Sequence, residues 1–187
     1  FYNVKTQALV PMSLAPVMEG LHAKTEHAEW IAQHVLYLRT TAQSLAEATG
    51  IELVEPELPA PQETRFSRYY DMVLENLEEE QSPAIEDAFL KNRMWFTSRL
   101  VRHLRHGDRV GPAFAQQELD DMGELLGKRP ANLVEGHRAV HELVLGASPD
   151  RDEEFIRYFY RHARREEALM EGALGMAEGA QLSPLRD

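Results

Sequence analysis

Apolar residues return every three or four positions through most of this chain, and that spacing predicts helices. Along the first, from about Pro16 to Thr49, Val17, Leu21, Ala28, Ile31, Val35, Leu38, Ala42 and Leu45 share one face, and Gly50 marks its end. A second is predicted over about Thr64 to Glu80, with a broad stripe of Phe66, Tyr69, Tyr70, Val73, Leu74 and Leu77. Ser82 and Pro83 read as the cap and first turn of a third, because a first-turn residue does not need the N–H that proline lacks. Ile85, Phe89, Phe96, Leu100 and Leu104 give that helix an inward row. Gly107 and Gly111 read as its stop, and Pro112 as the start of a fourth helix reaching about Leu126, closed by Gly127. A fifth is expected over about Ala131 to Leu145. The sixth opens at Ser148 and Pro149, runs through FIRYFYRHARREEALMEGALG and gives way to a polar tail.

Strand signals are confined to Ile51 to Val54, which leads into Pro56, Pro59 and Pro61 rather than into a partner strand. The proline density from Ile51 to Glu63 excludes helix and predicts a stiff connector. The expected fold is therefore all-α, a helical bundle of about six helices. Its N-terminal part, residues 1–63, is one long helix with the proline-rich connector; residues 64–187 form a helical bundle, and the whole packs as one domain. APVMEG at Ala15 to Gly20 aligns with SPAIED at Ser82 to Asp87, and WIAQHVLYLR at Trp30 to Arg39 with FTSRLVRHLR at Phe96 to Arg105. That weak repeat leaves open whether the two halves are a duplication.

Composition narrows the chemistry. The 187 residues contain no cysteine, which removes disulfides, thiolate metal sites and catalytic thiols together. Against 20 Lys plus Arg stand 31 Asp plus Glu, a formal net charge of −11 that repels a phosphate backbone, so nucleic acid is not an expected partner. No apolar run reaches the roughly 20 residues of a membrane span. Pro11 and Pro16 interrupt Ala8 to Met18, the one candidate for a span or a secretory signal, and a cytoplasmic location is expected.

Eight histidines among many carboxylates invite a test for a metal. A di-iron bundle needs two Glu-x-x-His motifs, and only Glu19 with His22 has that spacing. His137 and His141 share a helix face as in a zincin, but Arg138 stands where the general-base glutamate would follow the first histidine. The expectation is no metal and no cofactor. No Gly-x-Ser-x-Gly elbow or Gly-rich phosphate loop is present either. Two basic rows remain, Arg99, Arg102, His103, Arg105 and His106, and Arg157, Arg161, His162, Arg164 and Arg165. Their helical spacing beside Glu166, Glu167 and Glu171 favours solvated faces over a binding site for phosphates or acidic partners. Phe155, Tyr158, Phe159 and Tyr160 are expected to pack a core with the tyrosine hydroxyls at its edge.

The stretches VLENLEEEQSPAIED, NRMWFTSRLVRHL and ELDDMGELLGKRPANLVEGHRAVHELVLG, between about Val73 and Gly172, carry a family resemblance. In the order of their elements they resemble small helical accessory proteins of unassigned function, encoded beside acyl-CoA dehydrogenases and aminoglycoside-phosphotransferase-like kinases. The chain departs from that pattern at His137, where an asparagine is expected before the arginine. The resemblance implies a non-catalytic accessory or interaction subunit of an acyl-CoA-linked enzyme, such as a hydroxyacyl-CoA kinase. Contact would then fall on Arg93, Arg102, His103, Glu135, His137, Arg138 and His141. Two other classes stay open: a helical-bundle enzyme with Glu19 and His22 as its polar pair, and a stand-alone structural or sensing homo-oligomer. The weight is against catalysis and towards a protein partner or self-association.

Overall fold

Helix boundaries follow from the few residues able to cap or break a helix. In the computed structural model, residues 27–181 together with Lys5, Ala8, Leu9 and Met12 are described, and no strand occurs among them. α1 is His27–Thr49, ended by Gly50 at φ +71°, a conformation that strains any residue with a Cβ. α2 covers 67–84: α-helical Ser67–Glu75, a π-helical turn Asn76–Gln81, and α-helical Ser82–Ala84. α3 is Ala88–Leu126, α4 is Leu133–Gly146 and α5 is Asp152–Leu169, entered through a 3-10 turn at Pro149–Arg151. No helix of these residues is long and apolar enough to cross a membrane.

The structure corrects two expected boundaries. Ser82 and Pro83 close α2 rather than open α3; the cap is Asp87, whose carboxylate accepts from the Leu90 N–H at 2.8 Å. Gly107 to Pro112 does not divide two helices, because α3 runs unbroken for 39 residues through Pro112. Proline disfavours helix in the residue before it chiefly by a clash with that residue's Cβ, and Gly111 has none. Val110 and Phe114, both buried, anchor the turn on either side. The connector docks beside it: the Gln62 N–H donates to the Arg109 carbonyl at 3.3 Å, and the Thr64 hydroxyl to the Asp108 carboxylate.

α3 is the spine. α2 packs along its first half, α4 along its second, and α1 and α5 lie across it while packing on each other. One apolar core gathers Met122, Leu125, Val140, Phe155 and Tyr158 between α3, α4 and α5. The other sets Ala32 and Val35 of α1 against Met170, Ala173 and Ala177. α5 thus stops at Leu169 rather than continuing to Gly175 as expected, and Met170, Ala173 and Ala177 beyond it are packed in the core. Arg39 donates to the Ala180 carbonyl at 2.5 Å and to Glu167 at 3.0 Å, and Arg99 to the Ala173 carbonyl at 2.7 Å. The apolar stripe expected on α2 is largely exposed: Leu74 is buried, whereas Phe66, Tyr69 and Val73 face solvent. On α3, Phe89 and Leu104 are likewise exposed, and the buried residues of its first half are Ser98, Arg99 and His106.

Gly136 sets how closely α4 approaches α3, since a Cβ there would lie 2.2 Å from Met122 Sδ and 2.9 Å from Pro130 Cγ. Gly136→Ala should destabilise the fold by about 1–3 kcal/mol through overpacking. Gly107→Ala, in the interior of α3 with nothing near its Cβ, should stabilise by about 0.5–1 kcal/mol. Urea unfolding of the two variants checks both signs.

Candidate functional site

The close approach at Gly136 brings three helices onto one carboxylate. Glu118 shares a face of α3 with Phe114, Met122 and Leu125, an otherwise apolar row, so its side chain is 7% exposed. A carboxylate so placed must be hydrogen-bonded and paired to remain ionised. α5 supplies the partners at helical spacing: Tyr158, His162 and Arg165. The Tyr158 hydroxyl donates to Glu118 Oε1 at 2.7 Å, and His162 Nδ1 lies 3.1 Å from the same oxygen. Arg165 Nε donates to Oε2 at 2.9 Å, and its Nη2 reaches Asp121 at 2.6 Å. Arg161 Nε closes the network on both oxygens of Asp121 at 3.0 Å. From α4, His137 Nε2 stands 3.6 Å from Glu118 Oε1, its ring edge-on to that of His162 at 5.8 Å.

These contacts set the protonation states. Burial alone would raise the Glu118 pKa, but the imidazoles of His137 and His162 and the charge of Arg165 hold it far below the usual carboxylate range. Burial would lower His162, yet the hydrogen bond to Glu118 and its charge push the imidazole above its ordinary value. Tyr158 is pushed up by burial and by the carboxylate it donates to, and stays a hydroxyl. On α1, His34 is lowered by burial and then by the charge of His162, and its Nδ1 is buried with no hydrogen-bond partner.

One face of His162 borders a cavity of about 510 Å³ between α1, α4 and α5. Its walls are mainly apolar, with Leu38 and Leu45 from α1, Val144 from α4, and Phe155, Ile156 and Phe159 from α5.

Of the contact residues that the resemblance implies, His137 alone enters this centre. Arg102 grips Glu78 through two nitrogens, and His103 Nδ1 lies 2.8 Å from the Leu169 carbonyl, so both are ties within the fold. Arg93 lies over the Phe89 ring. Glu135 is in the first turn of α4, and Arg138 and His141 project from that helix into solvent. Glu19 and His22 fall outside the described residues. The basic rows are not solvated faces. Arg99 and Arg165 are buried, Arg105 pairs with Asp71 at 2.6 Å and Arg164 with Glu55 at 2.8 Å. Arg157, paired with Glu153 on the same helix, is the one that fits the expected i, i+4 pattern. Phe155, Tyr158 and Tyr160 pack inward as expected, while Phe159 is 41% exposed.

Sequence reasoning passed over Glu118, although a signal exists: an acid on the apolar row of ELDDMGELL, where solvent cannot satisfy it. Comparison with protein-family models, curated proteins and solved structures gives no match. The functional reading therefore rests on this geometry.

Arg165→Met should leave Glu118 and Asp121 short of a buried counter-charge and cost about 3–5 kcal/mol in urea unfolding. Arg157→Ala, on the exposed side of the same helix, should stay within about 0.5 kcal/mol of the parent.

Proposed function

We propose that the protein binds a small, largely apolar molecule bearing an anionic head group, with the tail in the α1–α4–α5 cavity and the head at His162. The observation that carries this reading is that His162 both lines the apolar cavity and is held on Glu118. A volume of about 510 Å³ falls in the range of small-molecule sites. With Nδ1 on Glu118, Nε2 is the ring nitrogen left to donate. Behind it, Arg161 is paired with Asp121 and Arg165 with Glu118, and Asp152 is the carboxylate among the cavity-lining residues. The His162 ring N–H is the donor that favours an anion at the polar end of an apolar slot.

Displacement of a fluorescent apolar anion, anilinonaphthalene sulfonate, by decanoate and by decanol tests the reading. Decanoate should compete and decanol should not. His162→Gln should weaken decanoate roughly tenfold or more, the scale of one charge-assisted hydrogen bond. Leu45→Trp, which fills the slot, should abolish binding. Equal competition by acid and alcohol, or none by either, would sink the reading.

A second reading, the accessory or interaction subunit of an acyl-CoA-linked enzyme such as a hydroxyacyl-CoA kinase, has separate support. Tyr69, Met72 and Val73 of α2 and Phe89 and Leu90 of α3 expose large apolar side chains within one helical hairpin. Such surfaces, where contiguous, mark interaction sites. Light scattering of the chain alone and co-expressed with such a kinase checks it. Arg138→Glu, on an exposed side chain, should leave Tm unchanged and reduce any complex; Arg102 is the poorer probe because reversal also breaks its pair with Glu78. A monomer in both preparations counts against this reading.

A further inference from the structure

We infer that Glu118, His137 and His162 form a binding site for one divalent transition-metal ion. Glu118 Oε1, a ring nitrogen of His137 and a ring nitrogen of His162 all lie within 4.8 Å of one another. The separations from Oε1 are 3.1 Å to His162 Nδ1 and 3.6 Å to His137 Nε2. Ligands about 2.1 Å from an ion stand roughly 3.0 Å apart at an octahedral right angle and roughly 3.4 Å apart at a tetrahedral one. Both imidazole-to-carboxylate separations thus lie near the spacing an ion requires.

Two features of the surroundings suit an ion better than a bare ion-pair network does. The carboxylate is orientated by outer partners: Arg165 occupies Oε2 and is itself held by Asp121, and the Tyr158 hydroxyl donates to Oε1, the oxygen on which the two imidazoles converge. Such outer partners fix ligand geometry in metal sites. His137 is half-exposed, with 49% of its side chain accessible, so an ion can enter and keep positions for water or another ligand.

The donor set selects the ion class. Two imidazoles and one carboxylate, with no thiolate, suit zinc, iron(II), manganese(II) or cobalt(II), and are too nitrogen-rich for calcium or magnesium. The sequence test looked for ligands one helical turn apart. Here each comes from a different helix. With Arg161 and Arg165 cancelled by Glu118 and Asp121, the ion's own charge faces the open positions and favours an anionic ligand there. The inference does not depend on the cavity being occupied, since Glu118 and His137 are not among its lining residues.

Cobalt(II) is the probe, because its ligand-field absorption reports on the donors directly. Chelator-stripped full-length chain should take up one equivalent with intense visible bands, and zinc should displace it. His137→Ala, at a half-exposed position, should fold normally by circular dichroism and lose affinity at least about tenfold. His162→Gln should do the same, whereas His141→Ala, one turn further along α4, should bind as the parent does. Absence of ligand-field bands, or parental affinity in His137→Ala, would overturn the site. So would loss in His141→Ala with none in His162→Gln, since the ion would then sit on the exposed histidine pair of α4. No cavity ligand enters this titration, and Leu45→Trp touches no metal donor. Failure of either proposal is therefore distinguishable from failure of the other.

Discussion

A carboxylate on the apolar face of a long helix obliges the rest of the protein to come to it. Glu118 cannot be left alone in the core, where an unpaired charge would cost several kcal/mol, and it cannot turn to solvent without dragging Met122 and Leu125 with it. Its four-sided satisfaction by Tyr158, His162, Arg165 and the nearby His137 fixes the rotation of α5 and the height of α4 on α3. Apolar packing alone is non-directional and would tolerate a range of rotations. The polar centre selects one of them.

The same logic is repeated elsewhere in the molecule with the charges exchanged. Arg39 and Arg99 are buried cations on α1 and α3, and each reaches both a carboxylate and a main-chain carbonyl: Glu167 and Ala180 for Arg39, Glu29 and Ala173 for Arg99. A planar guanidinium can serve several acceptors at once, which a lysine ammonium does less well. Gly175, with φ +58°, passes so close to the Arg99 guanidinium that a Cβ would meet it at 2.7 Å. The segment after α5 is thus tied down by arginines as much as by Met170 and Ala173. In a strongly acidic chain, these cations serve as internal ties rather than as an external basic patch.

The functional elements are spatially divided by these constraints. The cavity lies where α1, α4 and α5 meet, and its lining includes His162, the imidazole held on Glu118. The half-exposed His137 opens the opposite side of that centre to solvent. The α2–α3 hairpin, with its exposed tyrosine, methionine and phenylalanine, stands apart from both. The cavity proposed to bind a ligand and the hairpin proposed to associate therefore occupy separate places on one chain.

Local rules were sufficient for the all-helical class, the end of α1 at Thr49 and Gly50, the helix-free connector and the stop at Gly127, because each depends on neighbours within a turn or so. They misjudged Pro112 and Ser82. A proline and a serine–proline pair have two helical uses apiece, and only contacts from the connector and from Asp87 choose between them. The candidate site was less legible. His137 was visible as one of a helical pair, but its partners lie 19 and 25 residues away along the chain, as the residue numbers of Glu118 and His162 show. Periodicity says which residues share a face of one helix, while the identity of the facing helix is set by side-chain volumes and by close approaches such as Gly136 on Met122. The sequence by itself determined where helices form and that acids outnumber bases. Tertiary structure decided which acid is buried, which arginines face it and which histidines share it, because desolvation acts only once the helices have met.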